Sequence, residues 1–302
     1  MTKLLLPILA AGVLATNPAT AQVTYTYDFN STTADFNSKF ATPAHDPVVN
    51  ATTGLSGTGA LDRSTGSPAF VYFNTVIGRF TEAGQAATVQ YYFFGSANNA
   101  AGSSDFLSFS TNPLNANPTS TSGTNPTAGV KSQIFNTLTP DTDPDPAVSN
   151  SVYSNSALRL ESRNMGSNPV NTLDAETFVL PVTAATGAPS TSQWFFMTLS
   201  LTYNGGSDFS ISTSLFNSSN TGVVGTNLES YSTTRTGLTS LVNTDIYAGF
   251  QLASTSGTPV RAGAGDNFEV TSTLTPVPEP STYVVMLGGL GALLLFRRRR
   301  AS

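Results

Sequence analysis

The sequence predicts an all-β protein built as a two-sheet antiparallel sandwich. Short segments rich in Val, Ile, Thr, Tyr and Phe recur along the chain, and Gly, Asn, Pro or Ser bounds each of them. Outside the two termini, no stretch repeats apolar residues at helical spacing, so almost no helix is expected there. A body of roughly ten or more strands favours two packed antiparallel sheets.

The predicted strands follow one another from residue 22 to about residue 275. In the first of them, residues 23–29, apolar or aromatic residues alternate with polar ones and therefore share one face. Further segments of this kind cover residues 69–80, 87–95, 105–110, 157–162, 176–182, 193–204, 208–217, 245–254 and 267–274. A hairpin is expected around Asn204, Gly205 and Gly206 because this turn sequence separates two strand-like runs.

Residues 111–150 interrupt the pattern. They are rich in Pro, Asn, Thr and Asp, with one candidate short strand at Lys131 to Phe135. The region is either a linker between two small sandwiches or a long excursion within one. We favour the excursion, because neither flank alone has a complete set of strands.

Composition excludes several classes of function. The chain has no cysteine, which rules out disulfides, thiolate zinc sites, a cysteine nucleophile and a lipoprotein anchor. Without Lys3, Glu279 and Arg297 to Arg300, the body holds 8 basic and 17 acidic residues, a net charge of −9. Because phosphate binding requires clustered Lys and Arg, no nucleic-acid partner is expected.

The N-terminus has the three parts of a secretory signal peptide. Lys3 supplies the basic region, residues 4–14 are apolar, and Ala19 and Ala21 fit the small-x-small cleavage rule. The alternative, a buried first helix, requires an amphipathic face that this run lacks. We therefore expect signal peptidase to remove residues 1–21 and leave Gln22 as the mature N-terminus.

The C-terminus ends in an apolar run, residues 282–296, followed by Arg297, Arg298, Arg299 and Arg300. The run is shorter than the ~20 residues of a relaxed membrane-spanning helix, so by length alone it is equally a buried core helix. The arginines favour a transmembrane helix, because in a membrane they reach the headgroups and keep the tail on the cytoplasmic side. We expect a transient inner-membrane anchor with the body outside.

Val277, Pro278, Glu279 and Pro280 precede that apolar run. In this order and at this position, the three elements resemble the PEP-CTERM sorting signal of bacteria that export exopolysaccharide. The resemblance implies an exosortase as partner, with cleavage near residues 278–280. The predicted organisation is then a signal peptide (1–21), a β domain (22–275) and a sorting tail (276–302).

The order of motifs in the body resembles that of concanavalin A-like (laminin-G and lectin-type) jelly rolls. An aromatic segment opens the body at residues 26–31, a Gly-rich turn follows at 54–64, and residues 264–270 place an Asp-Asn pair before the last strand. The resemblance implies a jelly-roll form of the sandwich. It also implies that exopolysaccharide is a candidate ligand.

Candidate catalytic groups are few. His45 is the only histidine, lies between prolines and has no nucleophile-elbow motif to accompany it, so a solvated loop residue is the favoured interpretation. Asp174 and Glu176 are the nearest approach to a glycosidase carboxylate pair, and a solvated strand edge explains them better. Residues 141–145 space three aspartates like a calcium loop but lack its Gly and its Glu, which favours a stiff acidic loop. No catalytic residue is predicted.

A structural calcium ion is implied by the resemblance to jelly-roll binding modules, some of which share the ion between their first and last strands. Asp28 and Asp266, with Asn267, are the matching residues. The alternative is that Asp266 only caps the turn after Gly265.

Trp194 is the one tryptophan and lies in a run of three aromatic residues on a predicted strand. If its face is exposed, it is a candidate for stacking on a sugar ring; the alternative, which we favour, is a core position. Gly54, Gly57 and Gly59 are interpreted as turn glycines, because no strand-turn-helix context makes them a nucleotide loop.

Together these features predict an exported, non-enzymatic protein of the cell surface or extracellular matrix, either polysaccharide-binding or purely structural. The alternative from another class is a glycan-active enzyme of jelly-roll fold. A pair of carboxylates facing a binding sheet would distinguish the enzyme, and the sequence shows no such motif.

Overall fold

A computed structural model describes residues 22–44, 47–62, 69–95, 104–112, 128–136, 156–163, 171–178, 193–252 and 264–277. The predicted signal peptide, the apolar run with its four arginines, His45 and the aspartates of 141–145 lie outside these residues. In the described ranges, no helix combines the length and apolar character needed to cross a membrane.

Fifteen strands, one α-helix and two short 3-10 helices lie within the described ranges. The strands are β1 (Val23–Tyr27), β2 (Phe40–Ala44), β3 (Val48–Asn50), β4 (Ala60–Asp62), β5 (Ala69–Phe73), β6 (Ala86–Gly95), β7 (Ser104–Ser110), β8 (Gly129–Asn136), β9 (Ser156–Arg163), β10 (Asn171–Phe178), β11 (Gln193–Gly205), β12 (Asp208–Ser218), β13 (Val224–Arg235), β14 (Tyr247–Leu252) and β15 (Gly265–Ser272). The helix is α1 (Thr33–Lys39), and the 3-10 helices are Leu55–Gly57 and Thr239–Leu241.

The strands form two antiparallel sheets. The first sheet has the order β13-β12-β11-β6-β15-β4-β3, with β1 also paired to β15. The second has the order β10-β9-β8-β7-β14-β5-β2. In the first sheet β11 pairs directly with β6, and thus joins strands from either side of the 111–150 region. The predicted all-β sandwich of two antiparallel sheets is confirmed.

The first and last strands are neighbours. Val23 of β1 lies opposite Ser272 of β15, and Tyr27 lies opposite Phe268. Because the pair is antiparallel, the start of β1 and the end of β15 are side by side. Asp28 accordingly follows β1 at the level of Asn267.

The main core lies between the sheets. Along β11 the odd-numbered positions from Phe195 to Leu201 are fully buried, and they belong to one cluster with Leu107, Phe109 and Phe250 of the second sheet. Each such side chain contributes about 1.5 to 3 kcal/mol when fully buried. The even-numbered positions of β11 face away from this core.

Helix α1 was not predicted. The Thr32 hydroxyl accepts the Asp35 backbone N–H at 3.2 Å and so caps the helix, while Phe36 is fully buried and stacks on Phe40 at 5.0 Å between ring centroids. Seven residues with one buried side chain show no helical repeat in the sequence. Within the described ranges, this helix and the two 3-10 helices are the exceptions to an otherwise all-β chain, in agreement with the expectation of almost no helix.

The centre of the second sheet is buried on both faces. On the face away from the main core, Tyr72 and Phe106 are fully buried, and the Lys131 Nζ lies 5.5 Å from the centroid of the Phe106 ring. A Cβ at Gly249 would lie 2.9 Å from the Tyr72 ring, so glycine leaves the space that this ring occupies. The buried Tyr72 hydroxyl has no hydrogen-bond partner within the described part of the chain.

Candidate functional site

Three aromatic side chains form a row on the outer face of the first sheet. Tyr92 of β6 lies opposite Phe196 of β11, which lies opposite Phe216 of β12. The ring centroids are 4.7 Å apart for Tyr92 and Phe196 and 6.1 Å apart for Phe196 and Phe216. All three side chains are partly exposed. Solvent therefore reaches a strip of rings that crosses three neighbouring strands.

A polar row runs beside this aromatic row, two residues along each strand. Glu269 of β15 lies between Gln90 of β6 and Thr26 of β1. The Gln90 Nε2 donates to the Glu269 Oε1 at 3.1 Å. Because alternate residues of a strand share a face, the amide and the carboxylate point to the same side as the rings.

The two rows line a groove with a volume of about 650 Å³. Its lining is Thr26, Tyr27, Asp28, Gln90, Tyr92, Phe196, Val224, Asn267, Phe268 and Glu269. The side chains of Tyr27 and Phe268 point into the core, whereas Asp28 and Asn267 are exposed. From β13 to β1 the groove crosses five strand spacings, or about 24 Å.

Residues 51–59, which we name the covering loop, lie over Asp266 and pack on Trp194 through Leu55. The Leu55 backbone N–H donates to the Asp266 Oδ2 at 2.9 Å, and the Gly59 backbone N–H donates to the Asn30 Oδ1 at 2.7 Å. These bonds fix the loop to both the last strand and the segment that follows the first.

The turn between β12 and β13, residues 219–223, connects the covering loop to the aromatic row. The Ser56 backbone N–H donates to the Asn220 carbonyl at 2.6 Å. The Tyr92 hydroxyl donates to the Gly222 carbonyl at 2.9 Å, which fixes the orientation of its ring. The aromatic row is thus held in place before any ligand arrives.

The glycines of the covering loop serve two purposes. Gly57 has a φ of +76° and is the turn residue that the sequence predicts. Gly54 and Gly59 are required for close approach instead: a Cβ at Gly54 would lie 2.7 Å from the Asp266 Oδ2, and one at Gly59 would collide with the Phe29 carbonyl. The loop can reach Asp266 only with glycine at these positions.

Trp194 does not line the groove, and its burial agrees with the core position that the sequence favours over the stacking alternative. Its side chain is 1% exposed, although it belongs to the outer face of β11. Leu55, Ala60 and Ala264 bury it together with Phe94, whose ring centroid is 5.3 Å away. The core alternative is correct, and the strand exposes an aromatic ring two residues later.

Asp266 is a buried carboxylate, 1% exposed, beneath the covering loop. Besides the Leu55 N–H, it accepts the Asn267 backbone N–H at 2.7 Å. The pKa of Asp266 is raised to about 6: burial is the largest cause, the two backbone N–H groups oppose the rise, and the nearby Asp28 carboxylate adds to it. The structure therefore brings Asp28 and Asp266 close enough to interact.

This set of donors does not fit a resident calcium ion, which takes six to eight oxygen ligands. Both Asp266 oxygens accept backbone N–H groups, and both Asp28 oxygens accept N–H groups of Asn30, at 3.2 and 2.9 Å. Among the residues with described positions, no three His, Cys, Asp or Glu side chains converge on one point. The calcium ion predicted at Asp28, Asp266 and Asn267 stays a prediction, and we derive no chemistry from it.

The other candidate residues lie away from the groove. Asp174 and Glu176 belong to β10, an edge strand of the second sheet. Val277 is the last described residue of the tail, so Pro278 to Pro280 are beyond the described part. Sequence reasoning did not find Tyr92 or Phe196; the available signal was their position among alternating residues, which sets them opposite to the core.

Comparison with known proteins adds findings for the tail and the body. Residues 276–300 match the model of the PEP-CTERM protein-sorting motif, which confirms the sorting signal predicted for the tail. No curated protein matches the chain significantly.

Solved structures similar to the chain include legume lectins, which have the concanavalin A-like jelly-roll fold. Lectin I from Ulex europaeus, in complex with the methyl glycoside of α-L-fucose, is 13% identical, with a TM-score of 0.48 over 83% of this chain and 98% of the lectin. Peanut lectin is 12% identical, with a TM-score of 0.47 over 85% of this chain and 100% of the lectin.

Proposed function

We propose that this protein is exported, sorted by an exosortase through its PEP-CTERM tail, and binds polysaccharide at the cell surface or in the extracellular matrix without cleaving it. The groove on the first sheet is the observation that supports binding. It sets exposed rings and polar side chains side by side along a path of about 24 Å, long enough for several sugar units.

The two rows of the groove suit the two kinds of surface that a sugar presents. The apolar face of a pyranose ring packs on an aromatic ring, as Tyr92 and Phe196 offer here. Sugar hydroxyls both donate and accept hydrogen bonds, and the amides of Gln90 and Asn267 do the same. A few polar groups beside an apolar surface are the usual composition of a small-molecule or oligosaccharide site.

Binding is tested with the full-length protein in mild detergent, by affinity electrophoresis and calorimetry on a panel of polysaccharides. We expect Phe196→Ala to weaken binding about three- to tenfold, since an aromatic contact contributes about 0.5 to 1.5 kcal/mol beyond its buried area. Tyr247→Ala is the matched control, because Tyr247 is a partly exposed aromatic residue on the second sheet. Equal losses in both variants would contradict a site in the groove.

The tail supports export and sorting. The proposal predicts that signal peptidase cuts after Ala21 and that an exosortase cuts near residues 278–280, after a transient stay of the tail in the inner membrane. Fractionation of cells should then show a shortened body at the surface or in the medium. Replacing both Pro278 and Pro280 by Ala should leave a longer, membrane-bound form. A native full-length form that persists in the inner membrane would refute the sorting proposal.

A glycan-active enzyme is the second candidate, favoured by one observation. Asp28 and Glu269 both line the groove, on neighbouring strands and about 7 Å apart along the chain direction, which is within the separation of an inverting glycosidase pair. Such a pair requires a general acid of raised pKa that reaches the substrate. Asp266 has the raised pKa but lies under the covering loop, outside the lining.

Release of reducing sugar from the polysaccharides that bind distinguishes the two candidates. We expect none. Turnover that is lost in Glu269→Gln, with binding retained, would establish the enzyme instead.

A further inference from the structure

The groove carries negative charge that its own lining does not neutralise. Asp28 and Glu269 line it, and no Lys or Arg is among the lining residues that the structure describes. The hydrogen-bond partners of these carboxylates are neutral amides, those of Asn30 and Gln90. The ion pair between Arg79 and Asp245 lies on another part of the molecule. A cationic ligand group would therefore find two carboxylates without a competing cation in the lining.

The surroundings reinforce this charge. Asp266 lies behind the groove, close enough to Asp28 for the two carboxylates to interact. The charges of Asp266 and Glu269 also act on Tyr92, where burial is the larger cause of a raised pKa. The tyrosine ring at the end of the aromatic row thus lies in a field that attracts positive charge and repels negative charge.

Resting on the polysaccharide binding proposed above, we propose that the groove selects glycans bearing protonated amines, that is, polymers of de-N-acetylated hexosamine, over neutral and uronate-containing polymers. The sugar rings pack on Tyr92 and Phe196, and the ammonium groups lie beside Asp28 and Glu269. A uronate in the same position meets like charge. The aromatic rings contribute affinity for any glycan, and the carboxylates determine the selectivity for glycans with protonated amines.

The test compares two ligands of equal length, a chitin hexamer and its fully de-N-acetylated form, with a hexameric polyuronate as the third. The full-length protein in mild detergent is titrated by calorimetry at low salt, at a pH where the amines are protonated. We expect the de-N-acetylated hexamer to bind about 5- to 20-fold more tightly than the acetylated one, as two exposed charge pairs allow. The preference should shrink with added salt and vanish when the amines are deprotonated.

Two variants locate the effect. Asp28→Asn combined with Glu269→Gln should equalise the affinities for the two hexamers, and Glu82→Gln, at an exposed turn before β6, should leave the preference unchanged. Unfolding curves confirm that each variant is folded.

Equal affinity of the native protein for both hexamers would overturn the amine selectivity and leave the proposed function intact. Tightest binding of the polyuronate would overturn it as well. Failure of every glycan to bind would instead refute the proposed function itself.

Discussion

Replacing Asp266 by asparagine is expected to change how the stability of the protein depends on pH. In the folded state, burial raises the pKa of this carboxyl from 3.8 to about 6. Below about pH 4 the carboxyl is protonated in both the folded and the unfolded state, so its ionisation does not reduce the free energy of unfolding. Between pH 4 and 6 only the unfolded state loses its proton, so the free energy of unfolding falls as the pH rises.

A pKa difference of about two units corresponds to about 3 kcal/mol, because one unit is worth about 1.4 kcal/mol. The native protein should therefore lose about 3 kcal/mol from this group between pH 4 and pH 7. The side-chain amide of the variant still accepts the Leu55 N–H through its oxygen, gives up the bond from the Asn267 N–H, and does not ionise, so the lost bond offsets part of the gain at pH 7. We expect Asp266→Asn to match or exceed the native stability at pH 7 and to lack this loss.

Urea unfolding at several pH values, with EDTA present to exclude metal ions, measures the difference. Asp35→Asn is the control, because the stability contributed by Asp35 changes with pH in the opposite direction to that of Asp266. The hydroxyl groups of Tyr27 and Ser31 hold the pKa of Asp35 below its ordinary value, so this group stabilises the protein at neutral pH and its contribution is lost in acid. A constant difference between native protein and Asp266→Asn from pH 4 to 7 would refute the role of Asp266.

Three further predictions concern stability. Tyr72→Phe should stabilise the protein by about 1 kcal/mol, because it removes a buried unpaired hydroxyl. Tyr27→Phe should destabilise it by about 1 to 2 kcal/mol, because the Tyr27 hydroxyl donates to Asp35 at 2.8 Å. Urea unfolding of both variants measures these two changes. Trp194→Ala should lower the free energy of unfolding by about 3 to 5 kcal/mol, measured by circular dichroism during unfolding. A loss under about 1 kcal/mol would show that the covering loop does not pack on Trp194. A calcium titration tests the predicted ion at Asp28, Asp266 and Asn267: a rise in the melting temperature that Asp28→Asn abolishes would establish it, and no shift would refute it.

The strands were predictable where one face is buried, as in β11 and β12, because alternation then appears in the sequence. Strand β13 was missed because it is an edge strand without a fully buried residue; Leu228 and Tyr231 pack against the core only in part. The stretch 69–80 was predicted as one strand, but β5 ends at Phe73 and residues 78–80 form isolated bridges instead. Partial burial at the sheet edge leaves only a weak alternation in the sequence of β13.

At the site, the sequence led correctly to the neighbourhood of Asp28 and Asp266, because first and last strands pair. It did not predict the loop that covers Asp266, since the bond from Leu55 joins residues 211 positions apart. The same loop buries Trp194 and leaves Phe196 exposed. A face of a sheet can be assigned from alternation, but what covers that face depends on contacts between distant segments.

The pairing of β1 with β15 also defines a path for mechanical load. The tail leaves the body just after Thr275, at one end of β15, whereas Asn267 and Glu269 meet the groove near its other end. A body held by its tail and by a polymer in the groove is pulled along β15, which has antiparallel partners on both sides. Because backbone hydrogen bonds lie perpendicular to the strands, this pull shears many of them together instead of peeling them one by one, and the body resists unfolding under such a load.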